Sequence, residues 1–231
     1  MMKELDIFPL DRPSMTDVEL ESILPSQLQR FKLKDDEKRR LREINEARRQ
    51  EALQRSARLT VEEFQLVEEL KSVGVEVSSV WDLINTADRY ENAIPVLLKH
   101  LQLNYEDCTR EGIARALAVR DPQVRNAWPL LVEQYRKEKS GLGFKAPGDI
   151  MMYDLGAKNG LACTLSAAYT KDRQSEYFEL LRDRNNGLSR VLLLPALQRS
   201  KDPVVAKVLE ELVEDPDLAE ELLSWKRFGN N

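Results

Sequence analysis

The chain matches itself at a fixed register, and that match limits the architecture before any single helix is assigned. With Arg110 as origin, Ile113, Ala114, Ala116 and Leu117 follow at +3, +4, +6 and +7, and Asp121-Pro122 closes the unit. Arg190 heads the same pattern in Leu193, Leu194, Ala196 and Leu197, closed by Asp202-Pro203. Between them Lys158 precedes Leu161, Ala162, Thr164 and Leu165, with Asp172 at the break. The origins are 48 residues apart and then 32, so the first unit carries about 16 extra residues. The segment KSGLGFKAPGDIMMYD, residues 139–154, supplies them, with three glycines and a proline where the other units turn tightly.

Each unit has a partner segment with apolar residues at helical spacing: NAIPVLLKHL and NAWPLLVEQY around the first, SEYFELLRD after the second, VVAKVLEELV after the third. Such faces cannot be buried within one pair, so pairs must stack. The expected fold is all-α, an α-solenoid of antiparallel helix pairs. Composition points the same way. Gly and Pro number only 9 and 10 in 231 residues and 32% of residues are charged, which disfavours turn-rich sandwiches and barrels.

Three regions are expected. Residues 1–33, with Pro9, Pro13 and Pro25, read as an irregular arm carrying at most one short helix after Thr16. Residues 34–58 read as a charged, largely solvated helix, with nine basic and six acidic side chains, Asp35 and Asp36 able to cap it, and no Gly or Pro. The repeat domain is placed at 59–231. Its first helix is expected over about 61–73, started by Thr60 and Glu63 at capping-box spacing and stopped by Gly74, with Val61, Phe64, Val67 and Leu70 on the inner face. Ser78 or Ser79 can cap a short helix carrying Trp81.

Several function classes lose their footing on these residues. One histidine, His100, and two distant cysteines, Cys108 and Cys163, cannot furnish a zinc site or a His-dependent triad, and both thiols are expected free. No metal or cofactor is expected. No run of 18 apolar residues exists, and MMKELDIFPLDRP lacks an apolar signal core, so the expected location is the cytoplasm. A net charge of −5 and a pI near 5.3 disfavour nucleic acid, and no aromatic side chain occurs from Lys32 to Leu59 to stack a base. A protein partner is favoured, and a basic one suits this charge.

Turn acids ending in Asp-Pro, prolines within first helices (Pro95, Pro129) and basic residues early in second helices (Arg110, Lys158, Arg190) resemble the HEAT-repeat family over about residues 80–227. The resemblance implies that Arg110, Lys158 and Arg190 tie adjacent repeats together, with Asp107, Asp121, Asp172 and Asp202 as partners. The strings SVWDLIN, AIPVLLKHL and REGIARALA are similar to small bacterial HEAT-repeat proteins, some of which serve as immunity proteins beside secreted toxins. The function this implies is a non-catalytic protein-binding solenoid, most specifically one that neutralises a basic toxin domain. A HEAT-like DNA glycosylase or lyase, holding a base or pigment against Trp81 and Asp82, is the alternative.

Trp81, Trp128 and Trp225 suit a core, but Trp128, sharing a helix with Tyr135, is the best candidate among them for an interface anchor. Glu210, Glu211, Glu214, Glu220 and Glu221 make the C-terminal quarter acidic, either as the polar cap of the array or as a docking surface. His100 ends an apolar face and reads as structural. The 139–154 insertion is expected to be a mobile or partner-contacting loop.

Overall fold

Helices dominate the structure, a computed structural model that describes residues 12–23, 32–84 and 86–228. The chain divides into two compact units, residues 1–57 and 58–231. Within the first, α1 (Asp17–Ser22) is started by a capping box in which Thr16 and Glu19 bond each other's main chain, and Leu20 is buried. Glu37 is buried and fully engaged: it accepts from Arg12 at 2.6 and 2.8 Å and from the main-chain N–H groups of Met15 and Lys34. These donors, Arg12 foremost, hold its pKa at about 2. The rest of the expected irregular arm, residues 1–11 and 24–31, lies outside the described residues.

Helix α2 runs unbroken over Asp35–Ser72, which corrects the expected restart at Thr60. Neither Gly nor Pro interrupts that span, and the carboxylate of Glu63 is spent elsewhere, accepting from Ser79 Oγ at 2.7 Å and Val80 N–H at 3.1 Å. The expected inner face is corrected as well. Val61 and Phe64 are exposed, whereas Glu63, Leu66, Val67 and Leu70 point inward. Gly74, at φ 82°, follows the helix in the left-handed conformation that favours glycine. A 3₁₀ turn over Val80–Leu83 is capped by Ser79 and Asp82.

The second unit continues through α3 (Ile94–His100), α4 (Asp107–Ala116), α5 (Pro122–Asn126), α6 (Trp128–Lys137), α7 (Ala157–Ala168), α8 (Gln174–Arg182), α9 (Pro203–Leu212) and α10 (Ala219–Phe228). Helix α7 packs against α4 on one side and the 184–196 segment on the other, so the three segments of the self-match are neighbours in sequence order. Small residues allow this approach. A Cβ on Gly160 would lie 2.9 Å from Ala114 Cβ and 3.0 Å from the Glu111 carbonyl oxygen. One core joins Leu66 and Leu70 of α2 to Leu165, Leu194 and Leu212.

The third matched segment, Arg184–Ala196, is 3₁₀ rather than α. Gly187 breaks it at φ 58°, and Pro195 removes a donor from its last turn. Among the described residues the sole strand pairing is the two-residue ladder of β1 (Leu142–Gly143) and β2 (Tyr153–Asp154) inside the insertion. No helix among the described residues is long and apolar enough to cross a membrane.

Candidate functional site

The three basic residues of the self-match do equivalent work. Arg110 donates to the carbonyl oxygens of Leu101 and Leu103 beyond α3, Lys158 to that of Glu138 at the end of α6, and Arg190 to that of Leu181 near the end of α8. Arg110 and Arg190 each reach a carbonyl nine residues upstream. The last carbonyls of a helix have no partner within it, and a buried cation is a strong donor for them. Their carboxylate partners lie downstream: Glu138 for Arg110, and Asp215 and Asp217 for Arg190.

This corrects the pairing with the turn acids. Asp121 and Asp202 are N-caps, accepting from the N–H groups of Gln123 and Val204, because a short acceptor just before a helix meets its free donors. Asp202 also pairs with Lys171 at 3.2 Å, and Asp172 with Arg173 at 3.3 Å. Asp107 accepts from Gly156 and Ala157 N–H at 2.8 and 2.9 Å, so α4 caps α7.

Trp128 and Tyr135 are buried, and neither is a surface anchor. Trp128 Nε1 donates to Glu176 at 2.6 Å and its ring lies beside Tyr177; the Tyr135 hydroxyl bonds Ser189 at 2.8 Å, and burial pushes its pKa up to about 12. His100 is fully buried, with Nδ1 2.7 Å from the Tyr105 hydroxyl and Nε2 3.1 Å from Glu69. Neither cysteine is in a disulfide, and burial raises the Cys163 pKa. Asp82 is engaged by Ser78 and Ser79 N–H groups, and the Trp81 ring packs beside Gly112.

The insertion is the most unusual surface among the described residues. Its backbone is pinned at many points: the β1–β2 ladder, Leu155 N–H to Gly141, Cys108 N–H of α4 to Lys145, and Asp149 accepting from Lys145 and Ala146 N–H at 3.0 Å. Lys145 adds an ion pair with Glu111 at 3.1 Å, and Ala146 is buried. On this fixed frame Leu142, Phe144, Ile150, Met151 and Met152 are exposed by 68, 48, 90, 59 and 60%. The expectation of a partner-contacting or mobile loop did not include these five side chains. Their signal was present in the sequence: large apolar residues clustered where no helical spacing can bury them.

A cleft of about 560 Å³ opens beside Leu142, lined by Arg136, Lys139, Ser140, Lys158 and Asp183 among others. Lys158 is nearly fully buried, with its Nζ 3.1 Å from the Glu138 carbonyl oxygen and 4.8 Å from the centre of the Tyr135 ring. Burial lowers its pKa, while Asp183 and Glu138 oppose that change.

At the C-terminal end the acids divide. Asp215 and Asp217 turn inward to Arg190, Glu211 pairs with Arg182 at 2.8 Å, and Glu221 accepts from Trp225. Glu210, Glu214 and Glu220 are exposed and engage no described residue. No protein-family model matches this chain, and no curated protein or solved structure matches it at a significant level.

Proposed function

We propose that this protein is a non-catalytic, protein-binding α-solenoid that docks its partner through the 139–154 insertion. One observation carries the reading. Five large apolar side chains stand in solvent on a loop whose backbone is bonded at both ends and at Lys145, Ala146 and Asp149, so their exposure is built in. A fixed apolar display has little conformational entropy left to lose on binding, and methionine side chains adapt to the surface they meet.

The narrower reading is an immunity protein that neutralises a basic toxin domain in the cytoplasm. It is supported by Glu210, Glu214 and Glu220, which are exposed and have no ion-pair partner among the described residues, and which would speed capture of a cationic partner. The test begins with a photocrosslinking residue at Met151 to identify the partner, which is then purified. Ile150→Ser with Met151→Ser is expected to weaken that partner's binding by at least about tenfold at unchanged melting temperature. Undiminished affinity in the double variant overturns the docking surface, and a partner of acidic pI overturns the toxin reading.

A further inference from the structure

We infer that the cleft at Lys158 receives the carboxylate of an acidic side chain that the docked partner carries beside an apolar residue. This rests on the docking role of the insertion and adds the chemistry that recognises the partner. Lys158 is the starting point. An ammonium group taken out of water requires an anion or a full set of acceptors, because its hydration is lost. Here the described residues offer the Nζ one carbonyl oxygen and one aromatic face. Of the two lining carboxylates, Glu138 is already bound by Arg110, and Asp183 accepts from Asn185 as the cap of the segment that follows α8. One of the three ammonium donors is therefore unspent, in a group only 4% exposed.

The charge balance of the cleft defines the ligand. Lys139 has no ion-pair partner among the described residues, whereas Arg136 is answered by Glu179 at 3.9 Å. Lys158 and Lys139 thus face the one lining carboxylate that no cation binds, Asp183, a surplus of one positive charge. That surplus suits a monoanion; a phosphate dianion would exceed it and meet repulsion from Asp183. Leu142 belongs to the cleft wall and to the exposed apolar display, so a surface seated on the insertion covers the mouth of the cleft. An acidic side chain next to an apolar one then fills both features at once, and the covered cation meets its counter-ion in a desolvated setting where the interaction is strong.

The test uses the full chain and three probes, acetyl-Leu-Glu-Leu-amide, acetyl-Leu-Gln-Leu-amide and acetyl-Leu-Leu-Leu with a free C-terminus, followed by NMR of the Lys158 side chain and the Leu142 amide. The Glu peptide is expected to move both signals and to bind about tenfold more tightly than the Gln peptide, as a charge-assisted bond implies. Lys158→Met should abolish that preference. Should this variant fail to fold, Lys139→Ala at the exposed rim is expected to reduce the preference severalfold. Equal binding of the Glu and Gln peptides overturns the inference. Tighter binding of the free C-terminus than of the Glu peptide overturns the side-chain source and assigns a terminal carboxylate. Inorganic phosphate outcompeting the Glu peptide overturns the monoanion assignment. These outcomes are separate from the docking test. A failed peptide preference with a disabled Ile150→Ser, Met151→Ser variant removes the cleft alone, and a retained preference with full partner affinity in that variant removes the docking surface.

Discussion

Arg190 is wholly buried against Asp215, its Nη1 2.9 Å from Oδ2 and its Nη2 3.2 Å from Oδ1. The same guanidinium reaches Asp217 at 2.6 Å and the carbonyl oxygens of Leu181 and Gly187, so one side chain binds the end of α8 to the turn between α9 and α10. Arg190→Ala leaves buried Asp215 with only the largely exposed Arg184 as counter-charge, at an expected loss of about 2–4 kcal/mol in urea denaturation. Arg190→Lys should recover little of it, because an ammonium cannot fork across two carboxylates and two carbonyls. A loss below about 1 kcal/mol would remove Arg190 from the list of ties.

Glu69 gives the second unit an acid-sensitive contribution to stability. Both its oxygens lie 2.8 Å from Lys99 Nζ and one lies 3.1 Å from His100 Nε2, and these donors, Lys99 first, hold its pKa at about 2 against 4.5 unperturbed. A lowered carboxylate pKa stabilises the fold above about 4.5 and loses that contribution as pH falls towards about 2. Glu69→Gln is therefore expected to be less stable than the parent at pH 7, with the gap closing by about pH 2. Denaturant titrations at pH 7, 4 and 2 measure it, and a gap that does not change with pH refutes it.

Glu63 behaves in the opposite sense. Burial raises its pKa against the hydrogen bonds from Ser79 and Val80, so its contribution to stability declines as pH rises through the raised value. Glu63→Gln keeps an oxygen acceptor and loses the titration. Its melting temperature relative to the parent should be higher at pH 8 than at pH 4, by calorimetry. The reverse order would mean that the donors outweigh burial.

Trp128→Phe tests the core assignment of a residue with the sequence character of an anchor. The variant retains a ring near Tyr177 and loses the bond to Glu176, at an expected cost of about 1–2 kcal/mol. Binding to the crosslinked partner should be unchanged. Lost binding at full stability would return Trp128 to the interface.

The helical class, the stop at Gly74 and the equivalence of Arg110, Lys158 and Arg190 were legible in the sequence, because helical spacing, a left-handed turn and a repeated register are local properties. Which side chains those basic residues would meet was not. The Asp-Pro acids looked like their partners, but an acid just before a helix is held by the nearest free N–H groups, and the guanidinium groups turned to Glu138 and Asp215, 28 and 25 residues further on. Tertiary structure also decided the face of α2. Phe64 and Leu66 are equally apolar in the sequence, and only packing against the second unit's own core buries one and exposes the other. The insertion followed the same rule: its apolar residues were visible, but tertiary structure, through the bond from Cys108 N–H, the acceptor at Asp149 and the β1–β2 ladder, held its backbone and left Ile150, Met151 and Met152 in solvent. A one-dimensional pattern specifies which groups need burial, and three-dimensional packing decides which of them obtain it.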